Sequence, residues 1–273
     1  LMTKKKRTWI FTLLALLIAA FHISPFYIMI NMSLKTLSDR SSRWMPALHP
    51  HFENYVTAME HGNLMSAMWN TFQITALSVI IIVVAGAMAA YPLARKASRK
   101  NQIILTFIVG VMMVPQLSIL VPLYKEMVTL KGINKLWGIV IVSATFHLPM
   151  AIYMYSNFIR SIPKELDEAA MIDGCSRMQA FFQVILPCLK STTVSVIILN
   201  GVGIWNDYQF QLYFLQKPAM RTITLAISTF FTDSKQDLGA AAAAAFIVVL
   251  PPVLIYIFLQ KYFVKGAMDS AVK

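Results

Sequence analysis

Charge is scarce in this chain. Only 13% of its 273 residues are Asp, Glu, Lys or Arg, against 58% hydrophobic, and the mean hydropathy is +0.63. Soluble domains hold about 25% charged and about 45–50% apolar residues, so a disordered chain and a cytosolic enzyme of ordinary composition are both excluded. A polytopic membrane protein remains, its apolar excess facing lipid. Acidic residues are the rarest charges, 12 against 24 basic, for a net charge of +12. The basic residues lie mostly in short segments between apolar runs, which marks them as topology signals rather than a nucleic-acid surface. Cysteine is nearly absent. Cys175 and Cys188 share one segment, with no metal or redox spacing around them, and read as free thiols. There is no Gly-Lys dipeptide and hence no Walker A loop. His-Glu-x-x-His, Gly-x-Ser-x-Gly and rows of intramembrane charge are missing as well. No long-period repeat or low-complexity linker is present.

Six apolar stretches approach the ~20 residues that a spanning helix needs: residues 8–32, 70–94, 102–124, 137–159, 189–206 and 238–260. The fifth is the shortest and most polar. The first begins like a signal peptide, but its apolar run continues through Phe26–Ile30, past the usual signal length, and is expected to be retained as a span. Placing the N-terminus in the cytoplasm puts 15 Lys and Arg on that side, in the N-terminal run, the connections at 95–100 and 160–190 and the C-terminal end, and nine on the other, spread over longer loops. The positive-inside bias therefore predicts both termini cytoplasmic. Outside connections are expected at 33–69, 125–136 and 207–237, and a large cytoplasmic one at 160–190. Pro115, Pro122, Pro149, Pro251 and Pro252 interrupt spans and read as ordinary kinks that neighbouring helices tolerate. Gly239 and the alanine run Ala240–Ala245 open the sixth span as a close-packing face.

The cytoplasmic connection carries the most information. Pro163 suits a first helical position. Glu165, Asp167 and Glu168 follow in the early turns, where the helix dipole favours acid. Gly174 suits a left-handed stop, and Ser176 with Gln179 three residues later fits a capping box for a second helix. A helix resting on headgroups would carry a Lys/Arg-rich polar face. This one offers Glu165, Asp167, Glu168 and Asp173 instead, which suits a protein partner better.

The same segment resembles the EAA loop of ABC importer permeases: Glu168-Ala169-Ala170, three residues, Gly174, then Leu186-Pro187. Asp173-Gly174 is typical of the carbohydrate branch. Pro115-Gln116 followed by Pro122-Leu123-Tyr124, Trp205-Asn206-Asp207, Asn54-Tyr55, and Ala89-Ala90-Tyr91 with Leu93-Ala94-Arg95 also match that branch, so the resemblance covers nearly the whole chain. It is similar to the shorter permease of maltose-type importers. The resemblance implies an all-α polytopic membrane protein, one transmembrane domain of six helices over residues 1–273, in a bacterial cytoplasmic (inner) membrane. It also implies a second permease subunit, two ATPase subunits that bind ATP and Mg, and an extracytoplasmic solute-binding protein that delivers a sugar or oligosaccharide. Under it the loop is a coupling helix docked on an ATPase, with Glu168, Ala169, Ala170, Asp173, Gly174, Leu186 and Pro187 as coupling residues. Glu168 would pair with a basic ATPase residue. The family's C-terminal tail can enter the ATPase interface. Here Lys265, Gly266 and Lys273 keep part of that pattern, while the residues between depart from it and a final glycine is missing. The stretch 209–235 would be the loop that reaches the binding protein.

Ionisable groups inside spans point to function by default. His22 and His147 qualify, either as packing histidines or, for His147, as part of a translocation path. Gln73, Gln116, Asn200 and Asn206 could line a sugar path or bond between helices. A non-sugar importer or a standalone secondary transporter are the competing readings. The latter predicts clustered intramembrane carboxylates or an inverted repeat, and neither is present. A scaffold protein would not need the loop's polar geometry.

Overall fold

A computed structural model describes residues 4–232 and 237–271; for 4–8, 61, 232 and 262–271 it describes the backbone alone. The described residues are helical with no β-strand. Four helices are long and apolar enough to cross a membrane: Trp9–Ser33, Leu64–Arg95, Leu136–Ser161 and Leu238–Lys261. Two bent pairs, Arg99–Val111 with Gln116–Thr129 and Arg177–Cys188 with Lys190–Trp205, make six if each pair is one span. The chain divides into two compact units. One runs up to Met65 and takes in Ala226–Leu250; the other comprises Ser66–Leu225 and the chain from Pro251.

In the first unit, helix α1 (Lys4–Ser33) shows apolar side chains on all faces over residues 9–23, every one exposed. A helix apolar all round belongs in hydrocarbon or against another chain, not in water. The segment after it, expected as a loop, is folded by side-chain to backbone bonds. Asn31 Nδ2 donates to the carbonyls of Arg43 and Met45, each at 2.7 Å, and its Oδ1 accepts from Ala47 N. Helix α2 (Glu53–His61) follows, and its Asn54 donates to the carbonyls of Ser33 and Lys35. Gly239 packs on that amide so closely that a Cβ there would lie 2.6 Å from Asn54 Nδ2.

The second unit is built on α3 (Leu64–Arg95) and α6 (Leu136–Ser161). α6 packs against α4 (Arg99–Val111), α10 (Lys190–Trp205) and α11 (Gln209–Phe214). The core runs through Ile74, Ile82, Ile139, Ile152, Tyr155, Val196 and Ile204, all buried. Two of the polar side chains inside it are bonded: Ser78 Oγ donates to Val140 O, and Tyr155 OH to Thr193 Oγ1. The predicted stretch 102–124 is two helices bent by 90°. After α4, the chain breaks at Pro115, whose backbone is extended (ψ 122°), passes through a 3-10 turn at Gln116–Ile119 and continues as α5 (Leu120–Thr129). Proline lacks the N–H that would continue the helix and disfavours helical geometry in the residue before it. Pro149 sits inside unbroken α6, and Pro251 and Pro252 inside α13 (Leu238–Ala271), where the helix carries on through them. Helix α12 (Ile223–Thr232) precedes the residues outside the description.

Candidate functional site

The stretch 160–190 is two helical pieces around a sharp turn. Helix α7 (Glu165–Ile172) carries Glu165, Asp167 and Glu168 in its first turn. Pro163 is not its first residue, as the sequence suggested. It lies two positions earlier, and the carbonyl of Lys164 accepts from the N–H groups of Asp167 and Glu168 to open the helix.

The stop is a Schellman motif centred on Gly174. Cys175 N donates to Ala170 O at 3.0 Å, Gly174 N to Met171 O at 3.1 Å, and Gly174 has φ +87°. This satisfies carbonyls that a helix end otherwise leaves open. The capping box follows as expected: Ser176 N donates to Gln179 Oε1 at 2.8 Å and Gln179 N to Ser176 Oγ at 3.4 Å. It opens α8 (Arg177–Ala180), which continues through a π turn at Phe181–Ile185 into α9 (Leu186–Cys188). Leu186 is half-buried there and Pro187 exposed. Both cysteines are free thiols.

A β-branched residue resists the left-handed region. A Cβ at Gly174 would meet nothing within 4 Å, so Gly174→Val acts through backbone conformation alone, at a cost of about 1–2 kcal/mol. The expected outcome is a melting midpoint lowered by roughly 2–8 °C, and an unchanged midpoint in that variant counts against the left-handed stop.

Glu168, Ala169, Asp173 and Gly174 are exposed, while Ala170 packs inward. Leu166, Met171 and Met178 are exposed beside them, and Ile172 is 85% exposed. The element thus presents acidic and apolar side chains together. Next to it lies a cleft of about 560 Å³, lined among others by Met88, Lys96, Lys164, Glu168, Arg177 and Phe181.

Asp167 takes a different part from Glu168. It is buried, and Arg95 Nη2 lies 2.7 Å from its Oδ2, while Tyr91 OH donates to its Oδ1 at 2.5 Å. Arg95 Nη1 donates in turn to the carbonyls of Ile159 (3.0 Å) and Ile162 (2.7 Å) at the end of α6. Sequence reasoning missed this cluster. It counted Arg95 as a topology charge and Asp167 as a surface acid, although Tyr91 and Arg95 stand four residues apart on one helix face.

Of the expected path residues, His147 and Asn200 come together. His147 Nδ1 lies 3.2 Å from Asn200 Oδ1, and Asn200, buried, donates to Val196 O at 2.8 Å. Gly203 is the close neighbour that lets the imidazole in: a Cβ there would lie 2.9 Å from His147 Cε1. Gln73 is half-buried on α3, Gln116 is exposed in the 3-10 turn, and Asn206 is exposed and donates to Val202 O. No hydrogen bond among the described residues joins these three to the His147–Asn200 pair. His22 Nδ1 bonds within its own helix, to Ile18 O. Of the tail residues, Lys265 and Gly266 fall in α13 with only their backbone described, and Lys273 lies outside the described residues.

Asp207 follows α10, and its Oδ1 accepts from Phe210 N at 3.4 Å. Burial pushes its carboxyl above the ordinary aspartate value, against backbone N–H groups of residues 209–211 that pull it down. As pH rises, the unfolded chain therefore loses this proton first. The group's contribution is fully present at acid pH and declines as pH climbs through the unfolded value towards the folded one. Asp207→Asn should raise the apparent melting midpoint at pH 7 and flatten its pH dependence. A lower midpoint at pH 7 would refute the assignment.

The fold and site define an all-helical, multi-pass membrane protein with an acidic and apolar helix–turn–helix between two spans. Residues 82–268 match the family of binding-protein-dependent transport system inner membrane components, and the chain belongs to that family. It is 39% identical to the melibiose/raffinose/stachyose import permease protein MelC of Bacillus subtilis, over 99% of this chain and 98% of that protein. It is 32% identical to the probable starch degradation products transport system permease protein AmyC of Thermoanaerobacterium thermosulfurigenes, over 97% of each. Its fold matches a chain in a crystal structure of a bacterial ABC transporter involved in the import of the acidic polysaccharide alginate, with TM-score 0.80 at 18% identity, covering 96% of this chain and 99% of that one.

Proposed function

We propose that the chain is a permease subunit of an ATP-driven, binding-protein-dependent importer of sugars or oligosaccharides, working in the inner membrane of a bacterium with both termini cytoplasmic. The observation that carries the reading is α7: a short helix with a Schellman stop, Glu168 and Asp173 exposed beside Leu166, Met171 and Ile172, set between two spans. That surface suits a groove on a soluble partner rather than lipid. Glu168, Ala169, Ala170, Asp173, Gly174, Leu186 and Pro187 form the coupling segment, and Glu168 pairs with a basic residue of an ATPase. A second permease completes the pathway. Two ATPase subunits bind ATP and Mg and hydrolyse the nucleotide, so this chain is not itself an enzyme. An extracytoplasmic binding protein delivers the sugar, and the stretch 209–235 faces it. His147 and Asn200 line the path, with Gln73, Gln116 and Asn206 further along it, and the tail with Lys265, Gly266 and Lys273 reaches the ATPase interface. The names of relatives such as the melibiose/raffinose/stachyose permease and the trehalose transport system permease protein SugB of Mycobacterium tuberculosis, 30% identical over 98% of both chains, support the choice of sugar.

ATP can shift the transporter only by binding the closed ATPase pair better than the open one, and the permease responds only through contacts that differ between the two states. α7 is the contact that would carry this difference. Affinity purification of the tagged chain from mild detergent, followed by mass spectrometry, tests the assembly. Recovery of a second permease and an ATPase is expected. Recovery of this chain alone, in a complex that crosslinking in cells confirms as intact, would overturn the reading.

A further inference from the structure

We propose that Tyr91 and Arg95 are positioning residues for coupling. Through Asp167 they lock α7 to the end of α3, and through two carbonyls they lock the end of α6 to the same point, so the three ends move as one body. The proposal rests on α7 being the coupling helix.

Only residues 162–164 connect α6 to α7, and Ile162 is extended there (ψ 129°). A bare three-residue joint of that kind would hinge. A push on α7 would then tilt the short helix and be lost before reaching a span. The cluster removes that freedom. Guanidinium is a planar fork with donors on separate nitrogens, and here Nη1 donates to Ile159 O and Ile162 O while Nη2 lies 2.7 Å from the carboxylate as its ion-pair partner. One side chain therefore bridges both sides of the joint. The Tyr91 hydroxyl takes the second carboxylate oxygen, so the orientation of Asp167 is fixed as well as its distance. The Tyr91 ring also packs on Phe181, with centroids 5.0 Å apart, and Phe181 is buried at the start of the π turn. The second half of the coupling segment is thereby tied to the same anchor. The side chains of Arg95 and Asp167 are 13% and 10% exposed, so water screens the pair little. Glu168, one residue on and exposed, stays free to meet a partner. Neighbouring acids on one turn thus divide the work: Asp167 faces the spans and Glu168 faces outward.

The test uses the complete complex with its binding protein in lipid vesicles, and measures uptake per ATP hydrolysed with radiolabelled melibiose, raffinose, maltodextrin and trehalose supplied together. In Asp167→Asn and in Arg95→Lys the ATPase subunits should still co-purify and hydrolyse ATP, while uptake per ATP falls at least five-fold. Tyr91→Phe, which removes one bond, should lose about two-fold. The neutral pair Arg95→Gln with Asp167→Asn should recover part of what Arg95→Gln alone loses, because no buried charge is left unpaired. Unchanged uptake per ATP in Asp167→Asn and Arg95→Lys overturns the proposal, and so does a loss that appears only where the ATPase subunits fall away. A wild-type complex that takes up none of these sugars and whose ATP hydrolysis is unchanged by its binding protein overturns the importer reading and the clamp with it. Coupled wild type with unaffected variants overturns the clamp alone.

Discussion

Glu168→Arg is expected to reduce transport to background, roughly 10²–10³-fold, while the chain inserts and accumulates as before. Glu168 is exposed on α7, and among the described residues it makes no ion pair. Its reversal therefore breaks nothing within the fold beyond a helix-dipole contribution of about 0.3–1 kcal/mol in the first turn. Across an interface the same change is far larger. Removing one member of a buried charged pair costs about 2–5 kcal/mol, and placing like charges together adds repulsion. The effect should appear as lost ATP-driven uptake and lost co-purification of the ATPase subunits. Glu168→Gln should fall between wild type and Glu168→Arg, since it keeps a hydrogen-bond acceptor and drops the charge. Wild-type uptake by Glu168→Arg, with normal amounts in the membrane, would remove Glu168 from the interface. The neighbouring Asp167→Asn behaves differently under the clamp proposal, retaining the ATPase subunits and losing coupling. Two acids one residue apart are thus separated by which measurement each one moves.

What the sequence made legible was local. The turn between α7 and α8 could be read from Gly174, Ser176 and Gln179 because a Schellman stop and a capping box are set by residues within five positions of one another. The acidic first turn of α7 was legible for the same reason, and only the place of Pro163 shifted. The clamp was not legible. Arg95 and Asp167 are far apart in sequence, and a basic residue at the end of an apolar run serves topology equally well whether or not it also pairs. What could have flagged it was Tyr91 with Arg95 on one face of α3, together with an acid beside Glu168 that had no separate use.

Prolines illustrate the same limit. Pro115 and Pro149 look alike in sequence, yet α6 runs straight through Pro149 whereas the chain turns by 90° around Pro115. Neighbours decide which outcome occurs, because α6 has eleven buried residues along its length, and a break there would expose core. Gln116, Leu117 and Ile119 are exposed, so nothing opposes the bend at that point. The stretch 33–69 lies between two apolar runs, and its sequence predicts no more than an outside connection. Its order comes from Asn31 and Asn54 bonding to backbone carbonyls, and an asparagine carries no periodic signal. His147 and Asn200 were both candidates, but their pairing depends on α6 meeting α10, which only packing reveals.

The second large effect concerns folding and lies where the first turn of α6 packs on the turn that follows α5. Gly138→Ala should destabilise the protein by about 3 kcal/mol or more, the combined order of an overpacked contact and broken backbone bonds. A Cβ on Gly138 would lie 2.2 Å from Gly132 O, 2.9 Å from its carbonyl carbon and 3.0 Å from its Cα. All three obstacles are backbone, so no rotamer change can relieve them. Moving Gly132 strains the bonds its neighbours make: Gly132 N to Met127 O, Lys135 N to Gly132 O, and Asn134 N to Phe214 O. Lys131 and Asn134 already stand in left-handed conformations, at φ 59° and 56°, so the turn has little slack. Asn134 Oδ1 also accepts from Lys217 N, and the disturbance therefore spreads to the segment after α11. Gly132→Ala should be milder, because the nearest atom, at 2.3 Å, is Met127 Cε at the free end of a flexible side chain. Gly110→Ala, in α4 with nothing within 4 Å, should be neutral or stabilising by up to about 1 kcal/mol, since alanine is the better helix former. For a chain of this size a loss of about 3 kcal/mol lowers the melting midpoint by roughly 6–12 °C. Thermal scans of the three variants in one detergent should therefore rank Gly110→Ala above Gly132→Ala above Gly138→Ala, and a wild-type midpoint for Gly138→Ala would rule out the close backbone approach.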